Sequence, residues 1–328
     1  QDYQFRTVDG KVLAAPSMSV LTPQDTAYPY NLHMPQHELA RVILKNLLAI
    51  PGAEVRWNTR VTGLTQDANG VTLTIEADGA SDELRCDWLV GADGGSSTVR
   101  RALGLSFDGY THPERLVSTN LVYDFEARGY ARANFIIDPV HWAVIVKVDR
   151  HGLWRVTYGE DASLPEDGVE ARIAEHYRHL LPDRDPYQLQ AFSPFRVHER
   201  CAESFRVGRV LLAGDAAHVC NPFGGLGLTS GLLDGGLLGD VLPAVIHGRA
   251  DDGLLDRYSD ERRRVFLEVT GPTAKENKRR MTESDPERKK ADFERLQQLH
   301  NDTQFQRTAL TMTHKLVGNP IGIPAPSL

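Results

Sequence analysis

The sequence predicts an α/β fold built in two lobes, and three observations carry that prediction. Two apolar runs with strand character stop at acidic glycine turns, Asp93-Gly94 and Gly214-Asp215, and each is followed by helical spacing. Between them, residues 106–194 are dense in strand-like runs of alternating character. After residue 273 the chain turns to mixed-charge helical sequence. The implied order is a first lobe over 1–105, an inserted β-sheet lobe over 106–194, a return to the first lobe over 195–272, and a C-terminal helix and tail over 273–328.

Element by element, residues 3–14 alternate around Asp9-Gly10 and read as a hairpin. Residues 36–50 repeat at helical spacing, with Leu39, Val42, Ile43, Leu47 and Leu48 on one side. Val55–Trp57 and Val61–Leu64 read as short strands, and Val71–Glu76 as a strand after the Asn69-Gly70 turn. Cys86–Ala92 reads as a buried strand and Ser97–Leu103 as a short helix. In the inserted lobe, Val117–Phe125, Ala133–Asp138, Trp142–Val148 and Leu153–Gly159 read as strands, and Gly168–Leu181 as a helix. Leu228–His247 and Leu254–Val269 follow as helices, the first with a kink or break at Pro243. Lys275–His300 reads as a solvated amphipathic helix striped by Phe293, Leu296 and Leu299, and the stretch from Gly318 to Pro324 as an irregular tail.

Composition excludes several functions. A hydrophobic share of 41% and a charged share of 25% are those of a globular protein with a large core. A net charge of −7 argues against general nucleic-acid affinity. No apolar run reads as a bilayer span of about 20 residues, so no membrane partner is expected. Cys86, Cys201 and Cys220 lack metal-ligand spacing, as do His33, His37, His112, His141 and His198, so no metal is expected. Free thiols fit a reducing, cytoplasmic setting.

The stretch Arg209–His218, followed by Pro222-Phe223-Gly224-Gly225-Leu226-Gly227, concentrates the chemistry. A buried strand ending at Gly214-Asp215, a glycine-rich turn and a helix start aim backbone N–H groups and a carboxylate at one point. A cofactor with ribityl hydroxyls and an electron-rich ring suits that point. The stretch resembles the second flavin-contacting motif of the FAD-dependent aromatic hydroxylases, the class A flavoprotein monooxygenases that include p-hydroxybenzoate hydroxylase. Asp87–Arg100 resembles the family's Asp-Gly motif, and Pro35-Gln36-His37-Glu38-Leu39 a third flavin-contacting element. Their order and separations match over nearly the whole chain. The family's opening strand, G-x-G-x-x-G turn and helix have no counterpart after Gln1, so the FAD-binding lobe reads as Rossmann-like but incomplete.

The resemblance implies FAD as cofactor, NADH or NADPH as co-substrate, dioxygen, and a small phenolic or heteroaromatic substrate hydroxylated through a C4a-hydroperoxyflavin. Asp215 would accept from a ribityl hydroxyl, Gly214 would admit close approach, and Asp93 would bind cofactor hydroxyls. Gln36 would meet the flavin chain, a helix-capping role being the competing reading, and the Val61 backbone would meet the adenine. The N–H groups of Gly227 and Leu228 would stabilise negative charge on the reduced ring. Pro222, Gly225 and Leu226 would shape the loop against the ring, with Pro222 and Gly225 nearest the chemistry. Leu226, Leu228 and Thr229 replace the commoner Gln, Met and Asn, so an Asn contact is lost or passes to Thr229. Phe135, Trp142 and Phe223 are substrate candidates, with sheet packing an equal reading for the first two. His218 reads as structural, and Arg100 and Arg101 as phosphate contacts or surface ion pairs. No catalytic base emerges. A shortened, non-catalytic remnant and a flavin dehydrogenase or halogenase on the same fold stay open as alternatives.

Overall fold

The computed structural model describes residues 3–181 and 186–323; Pro324, at the end of the predicted tail, lies outside them. The chain opens on strands β1 (Tyr3–Thr7) and β2 (Val12–Ala14), paired antiparallel, and helix α1 (Gln36–Leu47). β3 (Thr59–Asp67), β4 (Gly70–Ala77) and β5 (Ala80–Cys86) form an antiparallel sheet. β6 (Leu89–Gly91) and α2 (Thr98–Ala102) enclose the first acidic turn. Next come β7 (Phe107–Val122), β8 (Ala133–Ile137), β9 (Ala143–Lys147), β10 (Leu153–Asp161) and α3 (Val169–Leu180). β11 (Gln188–Ala202), β12 (Arg206–Val207), β13 (Val210–Leu212) and β14 (His218–Val219) lead into α4 (Leu226–Ile246) and α5 (Gly253–Val265). A π-helical turn, Phe266–Thr270, joins α5 to α6 (Gly271–Thr282); α7 (Pro286–Asn301) and α8 (Thr303–Thr311) follow.

These elements form two compact units. The first takes the residues up to 53, 112–197 and 277–312. In it, strands run in the order β7-β10-β9-β8-β1-β2. Val117, Leu121, Ile145, Trp154 and Val156 meet Ile173, Tyr177 and Leu180 of α3 in one core, which is why these strands alternate. β1 lies parallel to β8, with Phe5 opposite Phe135, so the opening hairpin belongs to this sheet.

The second unit takes 54–111, 198–276 and the residues from 313. Its three-stranded sheet β12-β13-β6 sets β13 parallel to β6, Leu212 beside Gly91. Val210, Leu211 and Leu212 are fully buried, as a parallel strand covered on both faces requires. At roughly 1.5–3 kcal/mol per fully buried aliphatic side chain, this strand is a main anchor of the unit. Val71 and Leu73 of β4, Leu238 and Val241 of α4, and Leu254 and Tyr258 of α5 close the core around it.

Several expectations change. Val55–Trp57 forms no strand, and Trp57 is exposed. α1 forms as predicted, but Val42 and Ile43 on its apolar stripe are each 50% exposed. α4 runs through Pro243, which sits near its C-terminal end, where a missing N–H removes a single bond. α4 is also apolar and long enough to cross a membrane by length and composition, contrary to the sequence reading. Its Leu238, Val241 and Ala244 lie in the core, and its Asp234 is buried among ion-pair partners, so one face of the helix packs within this unit. The single helix expected over Lys275–His300 is two. Asp285 caps α7, accepting from the Arg288 N–H at 2.9 Å, and Pro286 takes the first helical position. That start signal overrides the helical periodicity running across it.

Candidate cofactor site

β6 and β13 end side by side. Beyond their last ladder pair, the Ala213 N–H still donates to Gly91 O at 3.0 Å. Both acidic turns therefore leave the carboxyl end of one parallel strand pair, where open α/β sheets receive ligands. Arg100 of α2, buried, fastens the turns to each other: Nη1 donates to Ala216 O and Nη2 to Gly95 O, each at 2.7 Å. Its guanidinium also lies 3.6 Å from the Phe107 ring centroid. Burial holds the pKa of Arg100 below its ordinary value, against the raising effect of Asp93. Neither reading offered for Arg100 by the sequence, phosphate contact or surface ion pair, describes this clasp.

Asp93 caps α2. Its Oδ1 accepts from Ser97 Oγ at 2.5 Å, and its Oδ2 from the N–H groups of Thr98 and Val99 at 2.7 and 3.1 Å. Oδ2 is filled by its two N–H donors, while Oδ1 retains a second lone pair for a cofactor hydroxyl. Asp215 is exposed and has no hydrogen-bond partner among the described residues. Gly214 adopts φ +59°, a left-handed conformation, and its N–H donates to Asp234 Oδ2 at 2.9 Å. α4 lies so close that a Cβ on Gly231 would come within 3.2 Å of Gly214 Cα.

The loop that follows is braced from behind. Buried Glu199 accepts from the Asn221 N–H at 3.1 Å and from the Asn221 side-chain amide. Asn221 Oδ1 in turn accepts from the Phe223 N–H at 3.1 Å. The Gly225 N–H donates to Pro222 O at 3.1 Å, closing a turn in which Gly224 and Gly225 take φ +99° and +68°. α4 then begins at Leu226, so the N–H groups of Leu226, Gly227 and Leu228 have no acceptor within the helix. A 21-residue helix places its positive dipole end there. Thr229 Oγ1 donates to Gly225 O at 3.1 Å, which ties it to the first helical turn.

Val61 sits beside a β-bulge in β3 and lines a cleft of about 410 Å³. Arg60, Thr62, Thr98 and Arg101 share the lining, so the cleft adjoins the helix that Asp93 caps. Gln36 is exposed in the first turn of α1, in the first unit. Phe135 and Trp142 also belong to that unit. Phe135 stacks on Phe5 with centroids 5.2 Å apart, and Trp142 is buried where a Cβ on Gly159 would meet its ring at 2.6 Å. Phe223 is buried in the second unit. The structure thus gathers Val61, Asp93, Gly214, Asp215 and the 222–228 loop within one unit.

His218, read from the sequence as structural, is buried; its Nε2 donates to Asp234 Oδ2 at 2.8 Å, and its ring stacks on Phe266. Burial, reinforced by Glu199 and Asp215, pushes the Cys220 thiol up to about 12 and leaves it protonated. The sequence reading passed over Asp234, although a lone carboxylate within a Leu- and Gly-rich helix signals a buried partner. Glu199 carried no comparable signal.

These features fit FAD. Asp215 offers an unengaged acceptor for a polyol, and a Cβ at Gly94 or Gly225 would meet nothing within 4 Å, so the surface there is open to a ligand. The α4 N-terminus suits a ring that gains negative charge. The class so defined is a FAD-binding flavoprotein. The FAD binding domain family model matches residues 6–271, and the chain belongs to that family, as an enzyme of the flavin-dependent aromatic monooxygenase type. It is 47% identical over 323 residues to para-nitrophenol 4-monooxygenase of Pseudomonas sp. (strain WBC-3), covering 98% of this chain and 80% of that one. It is 41% identical over 270 residues to 6-hydroxy-3-succinoylpyridine 3-monooxygenase HspB of Pseudomonas putida (strain DSM 28022 / S16), covering 82% and 69%. The crystal structure of p-nitrophenol 4-monooxygenase PnpA from Pseudomonas putida DLL-E4 matches with a TM-score of 0.94 at 45% identity, covering 97% and 81%.

Proposed function

We propose that this enzyme hydroxylates a small phenol or heteroaromatic ring in the cytoplasm, using NADH or NADPH and dioxygen. The observation that carries the reading is the convergence of the two acidic turns, clasped by Arg100, beside the α4 N-terminus. When bound, FAD supplies hydride acceptance from the nicotinamide and activation of dioxygen. Asp215 accepts from a ribityl hydroxyl, and Gly214 keeps the backbone clear. Asp93 shares the remaining lone pair of its Oδ1 with a cofactor hydroxyl. The N–H groups of Gly227 and Leu228 stabilise negative charge at the pyrimidine end of the ring. Val61 and its cleft take the adenine side, where Arg60 and Arg101 supply positive charge for phosphate, and Gln36 takes the flavin chain. Glu199, acting through Asn221, holds Pro222 and Phe223 in place to exclude water. Ring contacts come from the 106–194 lobe, with Phe135 and Trp142 as candidates. On sequence identity, para-nitrophenol is the first substrate to test and 6-hydroxy-3-succinoylpyridine the second.

The test combines FAD titration with NADH or NADPH oxidation, with and without para-nitrophenol, and product analysis under isotope-labelled dioxygen. Labelled hydroxyl in the product is the expected result. Substrate-dependent turnover that leaves the label out would mark a dehydrogenase or halogenase instead. Asp215→Ala should weaken FAD binding about tenfold or more while leaving the melting temperature within about 1 °C, because its carboxylate is exposed. Unchanged FAD affinity in that variant would contradict the assigned role.

A further inference from the structure

Behind the Gly214-Asp215 turn lies a buried ionic junction that the proposed chemistry does not use. Asp234, Arg262 and His218 are all at or below 1% exposed. Asp234 Oδ2 accepts from the Gly214 N–H and from His218 Nε2, while Oδ1 accepts from Arg262 Nε at 2.6 Å. One carboxylate thus joins the cofactor turn to α5. Burial works against its ionisation, but His218 and Arg262 outweigh that and hold its pKa below the ordinary carboxylate value. Arg262 spends its other donors elsewhere: Nη1 reaches Leu316 O at 2.7 Å and Val317 O at 3.2 Å, and Nη2 reaches Ser230 O at 3.3 Å.

Ser230 lies in α4, whereas the Leu316 and Val317 carbonyls belong to a C-terminal segment seated on α5. Its Asn319 N–H donates to Glu261 Oε1, and its Ile321 O accepts from Arg257 Nε at 3.1 Å. Gly318 takes φ +86°, and a Cβ there would meet Glu261 Oε1 at 2.7 Å and Val265 Cγ2 at 3.0 Å. Leu316, 2% exposed, packs in one cluster with Leu226, the first residue of α4. The segment therefore reaches the cofactor loop twice, through the ionic junction and through this apolar contact.

We propose that docking of residues 316–321 on α5 is coupled, through Arg262 and Asp234, to the position of the Gly214 N–H and hence to FAD affinity. The inference rests on the proposed role of the Gly214-Asp215 turn. Its logic is that a buried guanidinium losing two carbonyl acceptors must reorient or hydrate, and either change pulls on the single carboxylate that orients the turn. Asp234 is a positioning residue in this scheme.

Gly318→Ala and Asn319→Pro loosen the segment without touching Asp234, Arg262 or Asp215; the first adds a strained methyl, the second deletes the N–H that Glu261 accepts. Asp234→Asn breaks the junction, and Arg262→Lys, which keeps the charge but not all four acceptors, serves where Asp234→Asn does not fold. In full-length protein without FAD, hydrogen exchange is measured at 316–321 and at 213–217. FAD dissociation constants come from flavin fluorescence. Loosening the segment should speed exchange at both places, by about threefold or more, and raise the FAD dissociation constant about three- to tenfold. A double variant with the junction already broken should bind FAD no worse than the junction variant alone. The proposal falls if exchange rises at 316–321 while Gly214 and FAD affinity stay unchanged. It falls equally if the two effects multiply, or if neither loosening variant changes exchange at 316–321. Failure of the wild-type chain to take up FAD would count against the proposed function, while the exchange measurements would still decide the coupling.

Discussion

Arg100→Met removes the clasp between the two acidic turns and keeps much of the side chain's apolar stem. Two charge-assisted hydrogen bonds are lost, at about 1.5–3 kcal/mol each, and a ring contact worth about 0.5–2 kcal/mol. Against this, the variant no longer keeps a cation out of water, a relief of several kcal/mol. The balance is a destabilisation of about 2–4 kcal/mol, or roughly 3–6 °C in melting temperature for a chain of this size. FAD affinity should fall further than stability alone explains, by about tenfold or more, because the turns that share the ligand are no longer tied. Urea unfolding and FAD titration on the same preparations measure both. Arg101→Met is the control for stability alone: its guanidinium bonds Ser96 O and Thr98 Oγ1 at the surface, so it should cost under about 1 kcal/mol. If Arg100→Met stays within about 0.5 kcal/mol of wild type and binds FAD equally well, the clasp has no energetic role and the argument for convergence loses its main support.

Three further outcomes follow from the geometry. Gly109→Ala should prevent stable folding, losing more than about 3 kcal/mol, because at φ +142° its Cβ would lie 1.9 Å from the backbone Glu199 O; a soluble variant of unchanged melting temperature would refute that contact. Burial, with the charges of His141 and His179, lowers the pKa of His176 to about 4. The unfolded chain then binds the proton first, so stability should fall as pH drops from about 6.5 toward 4, by about 1 kcal/mol per pH unit, and His176→Gln should flatten that slope in thermal melts. Burial pushes the thiols of Cys201 and Cys220 up to about 12, so at pH near 8 iodoacetamide should label them about a hundredfold more slowly in the native protein than in urea, as mass spectrometry would show.

What is legible in the sequence divides along a physical line. The ligand-facing parts of the site are backbone N–H groups, glycine openings and short carboxylates at strand ends, and all of these are local. A strand of Val210-Leu211-Leu212 must end where glycine and aspartate begin, and a helix starting at Leu226 must leave its first N–H groups unpaired, whatever the rest of the chain does. What holds those parts together is ionic and distant. Arg100 reaches a carbonyl 116 residues away, and Asp234 joins His218, 16 residues back, to Arg262, 28 ahead. Periodicity records that a charge will be buried without naming its partner. The same limit explains α1: its stripe of Val42, Ile43 and Leu47 declares a helix that can bury one face, and the half-exposed side chains show that periodicity does not name the covering surface. It follows that substitutions at the glycine turns should act chiefly on FAD binding. Substitutions at Arg100, Asp234 and Arg262 should act on binding and stability together, because those side chains bear the cost of keeping charge out of water while they position the turns.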